Sequence, residues 1–369
     1  MNPVKLSEST SWFRMSEDPT SFFHKVLFLE GFENSSNIYV LEDNNQLTLI
    51  DTGNDWTAFH ELFEHYSVRD LKTIILTHGH SDHTMGLFEL VRSYSDFNNF
   101  QIILHKAFSD NLREILKKFN KEFRIMPVLG GEKIRVSGLT LEVIHTPGHT
   151  IDSICLYHPE SATLFSGDAV SFHPIVDEKM GGDMPSFVHS LRVLSKYEIK
   201  NILPGHTLPA LFMGKGILNK AYRKAIMEFA PESGDLKETA TNLIKVGLLD
   251  EAVMILDECI EVADEEDRAR LIGLKASVLA DMGRYEESIR LFDEIADKYP
   301  SALYSKGMVY MRLEDYKKAL DCFNELLKIK PDDKKGKLAK GMALYKLGRV
   351  EEALSIDEFR LIYKVVEKN

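Results

Sequence analysis

The chain has 369 residues, more than one compact core usually holds, so two domains are the starting expectation. Its formal net charge is −12 and both halves carry an acid excess, which argues against strong nonspecific binding to nucleic acid. Hydrophobic content of 44% with 28% charged residues is that of a soluble globular protein, and no apolar run approaches the roughly eighteen residues of a membrane helix. The opening Met1 to Thr10 is polar and lacks the apolar centre of a signal peptide. Cys155, Cys259 and Cys322 are scattered, with no C-x-x-C pair, as expected of a protein of the reducing cytoplasm.

In chain order, residues 22–30 and 37–42 read as strands separated by the turn-forming stretch 31–36. Asn44-Asn45 reads as a hairpin turn into a strand over 46–50, which ends in Asp51-Thr52-Gly53. Asp51 is either a plain turn carboxylate or a group that orients a ligand histidine from behind by a hydrogen bond. Residues 55–67 have helical spacing. The β-branched run Ile74-Ile75-Leu76-Thr77 reads as a buried strand, and the six residues after it are His78-Gly79-His80-Ser81-Asp82-His83. Successive strand side chains alternate, so His78 and His80 project the same way. Asp82 and His83 come from the turn into a helix over 84–95. Four nitrogen and oxygen donors in so small a volume suit a zinc-like divalent metal. A strand over 100–104 follows, with His105 read as structural, and then a helix over 107–119.

The strand over 139–144 ends in His145-Thr146-Pro147-Gly148-His149. Pro147 and Gly148 force a sharp turn that presents His149 as a fourth imidazole, while His145 supports it or is structural. A hairpin over 153–157 and 163–166 ends in Gly167-Asp168, a carboxylate able to bridge two cations. The loop over 172–184, with Phe172, His173 and two glycines, reads as a wall of the substrate pocket or as a solvated connector. After a helix over 185–197, the strand over 201–203 ends in Pro204-Gly205-His206, a second strand–Pro–Gly–His ending.

Taken together, Asp51-Thr52-Gly53, His78-x-His80-x-Asp82-His83, Pro147-Gly148-His149, Gly167-Asp168 and Pro204-Gly205-His206 resemble the metallo-β-lactamase superfamily, in that family's order. The resemblance covers residues 1–230 and implies an α/β architecture, an αββα sandwich with its site at one edge of the two sheets. It implies two divalent metal ions, zinc first, with iron or manganese open. His78, His80 and His149 would hold one; Asp82, His83 and His206 the other; Asp168 would lie between. It further implies a metal-dependent hydrolase that attacks an ester, thioester or lactone bond of a small molecule with an activated water. Asp82 would also carry a proton from the nucleophile to the leaving group. The presence of Asp168 is more similar to the glyoxalase II, lactonase and RNase Z branches than to true β-lactamases. RNase Z would need a basic surface that is missing. Lys215, Lys220, Arg223 and Lys224 read as a solvated helix face, not as a glutathione site, and no tyrosine closely follows Asp168 as in lactonases. A phosphodiesterase acting on a nucleotide or nucleic acid, and a repeat-based adaptor with a residual metal site, stand as alternatives.

The composition changes near 230–235: prolines thin out and helical periodicity takes over. Gly247-Leu248-Leu249-Asp250-Glu251-Ala252 aligns with Gly283 to Ser288, Glu314 to Ala319 and Gly348 to Ala353. The spacing is close to the tetratricopeptide period of about 34 residues. Residues 231–369 thus resemble about four tetratricopeptide repeats. Ala252, Ser288, Ala319 and Ala353 would let paired helices approach, and Phe292 and Phe323 would fill between them. Such an array implies a protein partner or a homodimer.

Overall fold

Two β-sheets face each other, and the strands of both end at the edge where the candidate ligands gather. The computed structural model describes residues 4–7, 10–32, 35–54, 57–94, 99–119, 123–171 and 173–366. The chain forms two compact units, 1–228 and 229–369.

The first sheet runs in sequence order: β1 (Val4–Lys5), β2 (Phe13–Arg14), β3 (Val26–Leu29), β4 (Ile38–Asp43), β5 (Gln46–Ile50), β6 (Leu71–Ile75), β7 (Gln101–His105) and β8 (Arg124–Val128). β1 to β5 pair antiparallel, and Asn44 and Asn45, both at positive φ, make the tight β4–β5 turn. β5 to β8 are parallel, with α1 (Ala58–His65), α2 (Ser81–Ser93) and α3 (Lys106–Lys117) in their crossovers. The second sheet holds β9 (Lys133–Val136), β10 (Leu139–His145), β11 (Ile154–His158), β12 (Thr163–Gly167) and β13 (Asn201–Pro204), in the spatial order β13-β12-β11-β10-β9. α4 (Met184–Leu194) and α5 (Gly214–Met227) complete the unit and pack on each other, and α5 contacts β13.

Side chains alternate across the strands and both faces are covered. Tyr39, Leu41, Ile50, Ile75 and Ile103 meet Leu141, Val143, Ile154, Leu156, Phe165 and Leu203 between the sheets. Val40, Leu49, Ile74 and Ile102 face the other way, onto Phe59, Leu62, Leu87, Leu90, Leu112 and Leu116 of α1 to α3. Burial on both faces explains the unbroken apolar run before His78. Two boundaries differ from the sequence reading. Residues 22–25 form a 3-10 turn, because the Ser21 side chain caps Phe23 N, so the strand starts at Val26. Helix α2 starts at Ser81, with the extended His80 as its cap, so Asp82 and His83 sit in the first helical turn and not ahead of it. A carboxylate there is favoured by the helix dipole.

The second unit contains only helices among its described residues. α6 (Leu236–Lys245) pairs with α7 (Leu249–Val262), α8 (Glu265–Asp281) with α9 (Tyr285–Ile295), α10 (Ser301–Arg312) with α11 (Tyr316–Ile329), and α12 (Lys334–Lys346) with α13 (Val350–Leu354). α14 (Asp357–Val366) lies against α12 and α13. The small residues Ala252, Ser288, Ala319 and Ala353 are fully buried at equivalent positions, as is Phe323. Every pair turns the same way. The N–H groups of Leu248, Arg284, Asp315 and Arg349 reach back to the carbonyls of Leu243, Leu279, Tyr310 and Leu344, closing a Schellman turn in each. The residue before each donor has positive φ: Gly247 at 80°, Gly283 at 78°, Glu314 at 59° and Gly348 at 79°. Glu314 alone carries a Cβ there, in a conformation that costs an L-residue roughly 1–2 kcal/mol. Glu314→Gly is therefore expected to stabilise this unit by about 0.5–1 kcal/mol after the added chain entropy of glycine is subtracted. The check is a higher urea midpoint at unchanged m-value; an unchanged or lower midpoint would refute the strain argument.

Candidate metal centre

Each candidate ligand sits just beyond a strand. Asp51 follows β5, the 78–83 segment follows β6, His149 lies in the turn after β10, Asp168 follows β12, and His206 follows β13. Backbone bonds tie these endings together. Thr52 N donates to His83 O at 2.8 Å, Ser36 N to Asp82 O at 3.1 Å, and Ile154 N to Thr77 O at 2.8 Å. The 204–207 turn hangs from β4, where Tyr39 Oη donates to Pro204 O at 2.8 Å and Asn37 Nδ2 to Pro204 O and Thr207 O at 2.9 and 2.6 Å. Gly205 is confined there, since a Cβ would strike Asp168 Oδ1 and the His83 ring. Gly148, at φ 137°, turns the chain against the Phe187 backbone, where no side chain would fit.

Three imidazoles converge first. His80 Nδ1 lies 3.0 Å from His78 Nε2 and 3.0 Å from His149 Nε2. Their outer nitrogens fix the tautomers. His80 Nε2 faces the Asp177 carboxylate at 3.0 Å and His149 Nδ1 faces the Ile175 carbonyl at 2.9 Å, so both carry the proton. Thr77 Oγ1 donates to Asp51 Oδ2 at 2.8 Å and must therefore accept from His78 Nδ1, 3.1 Å away. With the outer protons so placed, the inward nitrogens of the uncharged tautomers carry lone pairs, with no donor among them. Burial, the neighbouring histidines adding to it, holds His78 well below the ordinary histidine value; burial also lowers His149. Lone pairs packed this closely call for a shared cation. A tetrahedron with metal–nitrogen bonds of about 2.05 Å has edges of roughly 3.3 Å, close to what is seen.

A second group adjoins the first. Asp82 Oδ2 lies 3.1 Å from His206 Nε2 and 3.7 Å from His83 Nε2. Asp168 touches both groups: Oδ1 is 3.4 Å from His83 Nε2, and Oδ2 is 3.5 Å from His149 Nε2 and 3.6 Å from His206 Nε2. Among the described residues, His83 Nε2 and Asp168 Oδ1 are buried polar atoms with no hydrogen-bond partner. Such atoms are costly unless something charged sits between them. Burial opposes the carboxylate of Asp82, but the His206 bond and the His83 charge draw its pKa below the usual range. The sets His78–His80–His149, His78–His83–Asp168 and Asp82–His83–His206 each offer three donors within 4.8 Å and could hold a metal ion. All seven positions singled out in the sequence meet here, and the donor set fits divalent cations.

Asp51 lies behind the cluster. It is buried, and its Oδ2 accepts from His83 Nδ1 at 2.8 Å. His173 lines a cavity of about 330 Å³ that reaches Asp168 and His206, with Val170, Ile175 and Ile202 among its other walls. Phe172 lies outside the described residues. His105 and His145 stack on each other with ring centroids 4.1 Å apart, and neither belongs to the candidate metal groups. Sequence reasoning missed Asp177 and the Ile175 carbonyl. Asp177 is 97 positions from His80, and nothing local marks it.

Residues 31–206 match the metallo-beta-lactamase superfamily. This part of the chain is a metallo-beta-lactamase domain. Its fold implies bound divalent metal ions. Residues 300–333 match the tetratricopeptide repeat, within α10 and α11 and the turns that flank them. The metallo-beta-lactamase domain is similar to an atrochrysone carboxyl ACP thioesterase of Paecilomyces divaricatus, 30% identical over 46% of this chain and 50% of the relative. A lactamase-like protein of Emericella nidulans is 30% identical over 42% of this chain and 46% of its own length. The chain thus spans about half the length of these curated relatives. A metallo-beta-lactamase family protein from Thermus thermophilus shares 23% identity over 55% of this chain and 81% of its own, at a TM-score of 0.41. Among the described residues, no helix is long and apolar enough to cross a membrane.

Proposed function

We propose that residues 1–230 form a catalytic domain that hydrolyses a small-molecule thioester, with esters and lactones as neighbouring substrates. The observation that supports this most is Asp168, a partly buried carboxylate within 3.6 Å of histidines from both donor groups and open to an apolar cavity. The thioesterase name of the Paecilomyces relative favours the thioester within that range.

His78, His80 and His149 would hold one cation; Asp82, His83 and His206 another; Asp168 would join both. Zinc is the first expectation from the imidazole-rich set. Cations held there would polarise a carbonyl oxygen and lower the pKa of bound water from 15.7 towards about 7. The chain's own groups then divide the remaining work. The cavity walls Val170, Ile175, Ile202, Leu208 and Ile217 would take the apolar acyl part and exclude water. Asp82, ionised and partly exposed beside His206, would accept a proton and pass it to the leaving group. His173, at the cavity wall, would bear on substrate preference.

The repeat unit, residues 231–369, would dock a protein partner or a second copy of the chain through its stacked helix pairs. Cys155, Cys259 and Cys322 are buried free thiols, in keeping with a reducing cytoplasm.

The test is elemental analysis of purified protein, followed by turnover of acyl thioester, lactone and bis-p-nitrophenyl phosphate substrates. Two divalent ions per chain with thioester turnover is the expected result. Turnover of the phosphodiester alone would make the protein a phosphodiesterase. Absence of bound metal would leave an adaptor. Asp82→Asn with both metals and full turnover would remove the proton-carrying role.

A further inference from the structure

The loop between β12 and α4 grips the first metal group from outside. Residues 175–177 do this. The Ile175 carbonyl accepts from His149 Nδ1 at 2.9 Å, Asp177 N donates to His149 O at 2.8 Å, and Asp177 Oδ2 accepts from His80 Nε2 at 3.0 Å. The loop is fastened to the His149 turn again by Ile151 N donating to Met180 O at 3.0 Å. It is closed on itself by Gly182 N donating to Asp177 O at 2.8 Å. Gly182 packs so tightly that a Cβ would strike the carbonyls of Gly148 and His149. The inner side of the same loop, through His173 and Ile175, walls the cavity. One short segment thus touches two of the three imidazoles and the cavity wall.

We propose that Asp177 is the positioning residue of His80, and that residues 175–177 make closure of this loop and occupancy of the first metal group one linked event. The inference rests on the metal-centre reading above and adds the part played by the loop. Asp177 holds the His80 proton on Nε2, so that Nδ1 turns inward with its lone pair free. A ring whose outer nitrogen has lost its acceptor can rotate or change tautomer, and the inward donor goes with it. Loss of such an outer partner typically weakens metal binding about 10–100-fold. Linkage is reciprocal: if the closed loop favours metal, metal favours the closed loop. Lys179 is exposed at the tip of the loop, which makes a trypsin cut after it a direct report of opening.

The experiment titrates cobalt(II) into metal-stripped full-length protein and follows visible absorption, with tryptic cleavage after Lys179 read in parallel. Asp177 Oδ1 also caps the turn by accepting from Lys179 N at 2.9 Å and Met180 N at 3.3 Å. Asp177→Ser keeps a capping hydroxyl but is too short to reach His80. Asp177→Asn keeps an acceptor for Nε2–H and loses the charge. Wild type is expected to take up two equivalents, and its cleavage after Lys179 to slow once they are bound. In Asp177→Ser one equivalent should weaken about 10–100-fold and its spectrum change, while the other is kept; Asp177→Asn should fall between. Two equivalents bound to Asp177→Ser with wild-type affinity and spectrum would overturn the positioning role. Equal cleavage of stripped and loaded wild type would overturn the linkage. If Asp177→Ser does not fold, Asp177→Asn and the wild-type cleavage rates decide the matter. No cobalt uptake by wild type would defeat the metal-centre reading itself, an outcome distinct from the other two.

Discussion

Asp168→Asn is expected to lower turnover by about 10³-fold and to reduce bound metal from two ions per chain to one or fewer. Asp168 Oδ1 has no hydrogen-bond partner among the described residues, and Oδ2 lies within 3.6 Å of His149 Nε2 and His206 Nε2. The carboxylate is held well below its ordinary pKa: burial opposes the charge, but the His83 ring 3.4 Å away and the His78 and His206 rings more than offset it. Asparagine has the same shape, so packing is conserved and the charge alone is removed. Two changes follow. The pair of cations would lose the carboxylate charge that they share, in a site where screening by water is weak. The new amide N–H₂ faces histidine lone pairs and competes for them as a hydrogen-bond donor. Elemental analysis and thioester turnover, with circular dichroism to confirm folding, measure the effect. A variant that keeps two metals and stays within tenfold of wild type would show that Asp168 does not join the sites. His173→Ala is the contrast: as a cavity wall it should shift substrate preference with metal content unchanged.

The site is legible in the sequence because each ligand lies on a short local signature at a strand ending, and the strands themselves are strongly apolar. His78, His80, Asp82 and His83 lie within one six-residue stretch, and His149 and His206 share the Pro–Gly–His ending. What is not legible is non-local or sits at a sheet edge. Asp177 joins the centre only because the loop after β12 folds back onto the His149 turn, a contact without any sequence period. Strand β8 contains Pro127, which argues against a strand; as the last strand of its sheet it has a side with no ladder bond to lose. Strand β9, with four residues at the edge of the second sheet, is too short for its alternation to stand out. The start of α2 reads late because His-Gly-His-Ser-Asp-His is poor in helix formers. The dipole at a helix N-terminus favours Asp82 where intrinsic propensity does not. In the second unit the Glu314 turn aligns with the others despite the missing glycine, because the Asp-Tyr-Lys-Lys-Ala segment after it keeps the helical register of its neighbours.

Asp51→Asn should destabilise the N-terminal unit by about 2–4 kcal/mol, a fall in its melting temperature of about 5–10 °C. Asp51 sits at φ 57°, a conformation asparagine also tolerates, so the backbone is not the cause. The cause is the count of donors. Oδ1 accepts from Thr77 N at 2.7 Å, while Oδ2 accepts from Thr77 Oγ1 at 2.8 Å and His83 Nδ1 at 2.8 Å. An amide has one acceptor oxygen, so its N–H₂ must face at least one of these buried donors. Each donor left without a partner costs about 1–3 kcal/mol. The same change alters pH dependence in the metal-stripped protein. Burial disfavours the charged His83 ring, but Asp51 and Asp168 push it up from 6.5 to about 10. A raised folded-state pKa gives stability that is complete below pH 6.5 and is lost as pH rises through about 10. Metal-stripped wild type should therefore melt at progressively lower temperature between those limits. Asp51→Asn should flatten that slope, because half of the pair holding the imidazolium is gone. With metal bound, the ligand nitrogen is already deprotonated and the slope should disappear. Calorimetry of stripped and loaded protein across this range is the check. A variant with wild-type melting temperature and wild-type slope would mean that Asp51 does not hold His83 in place.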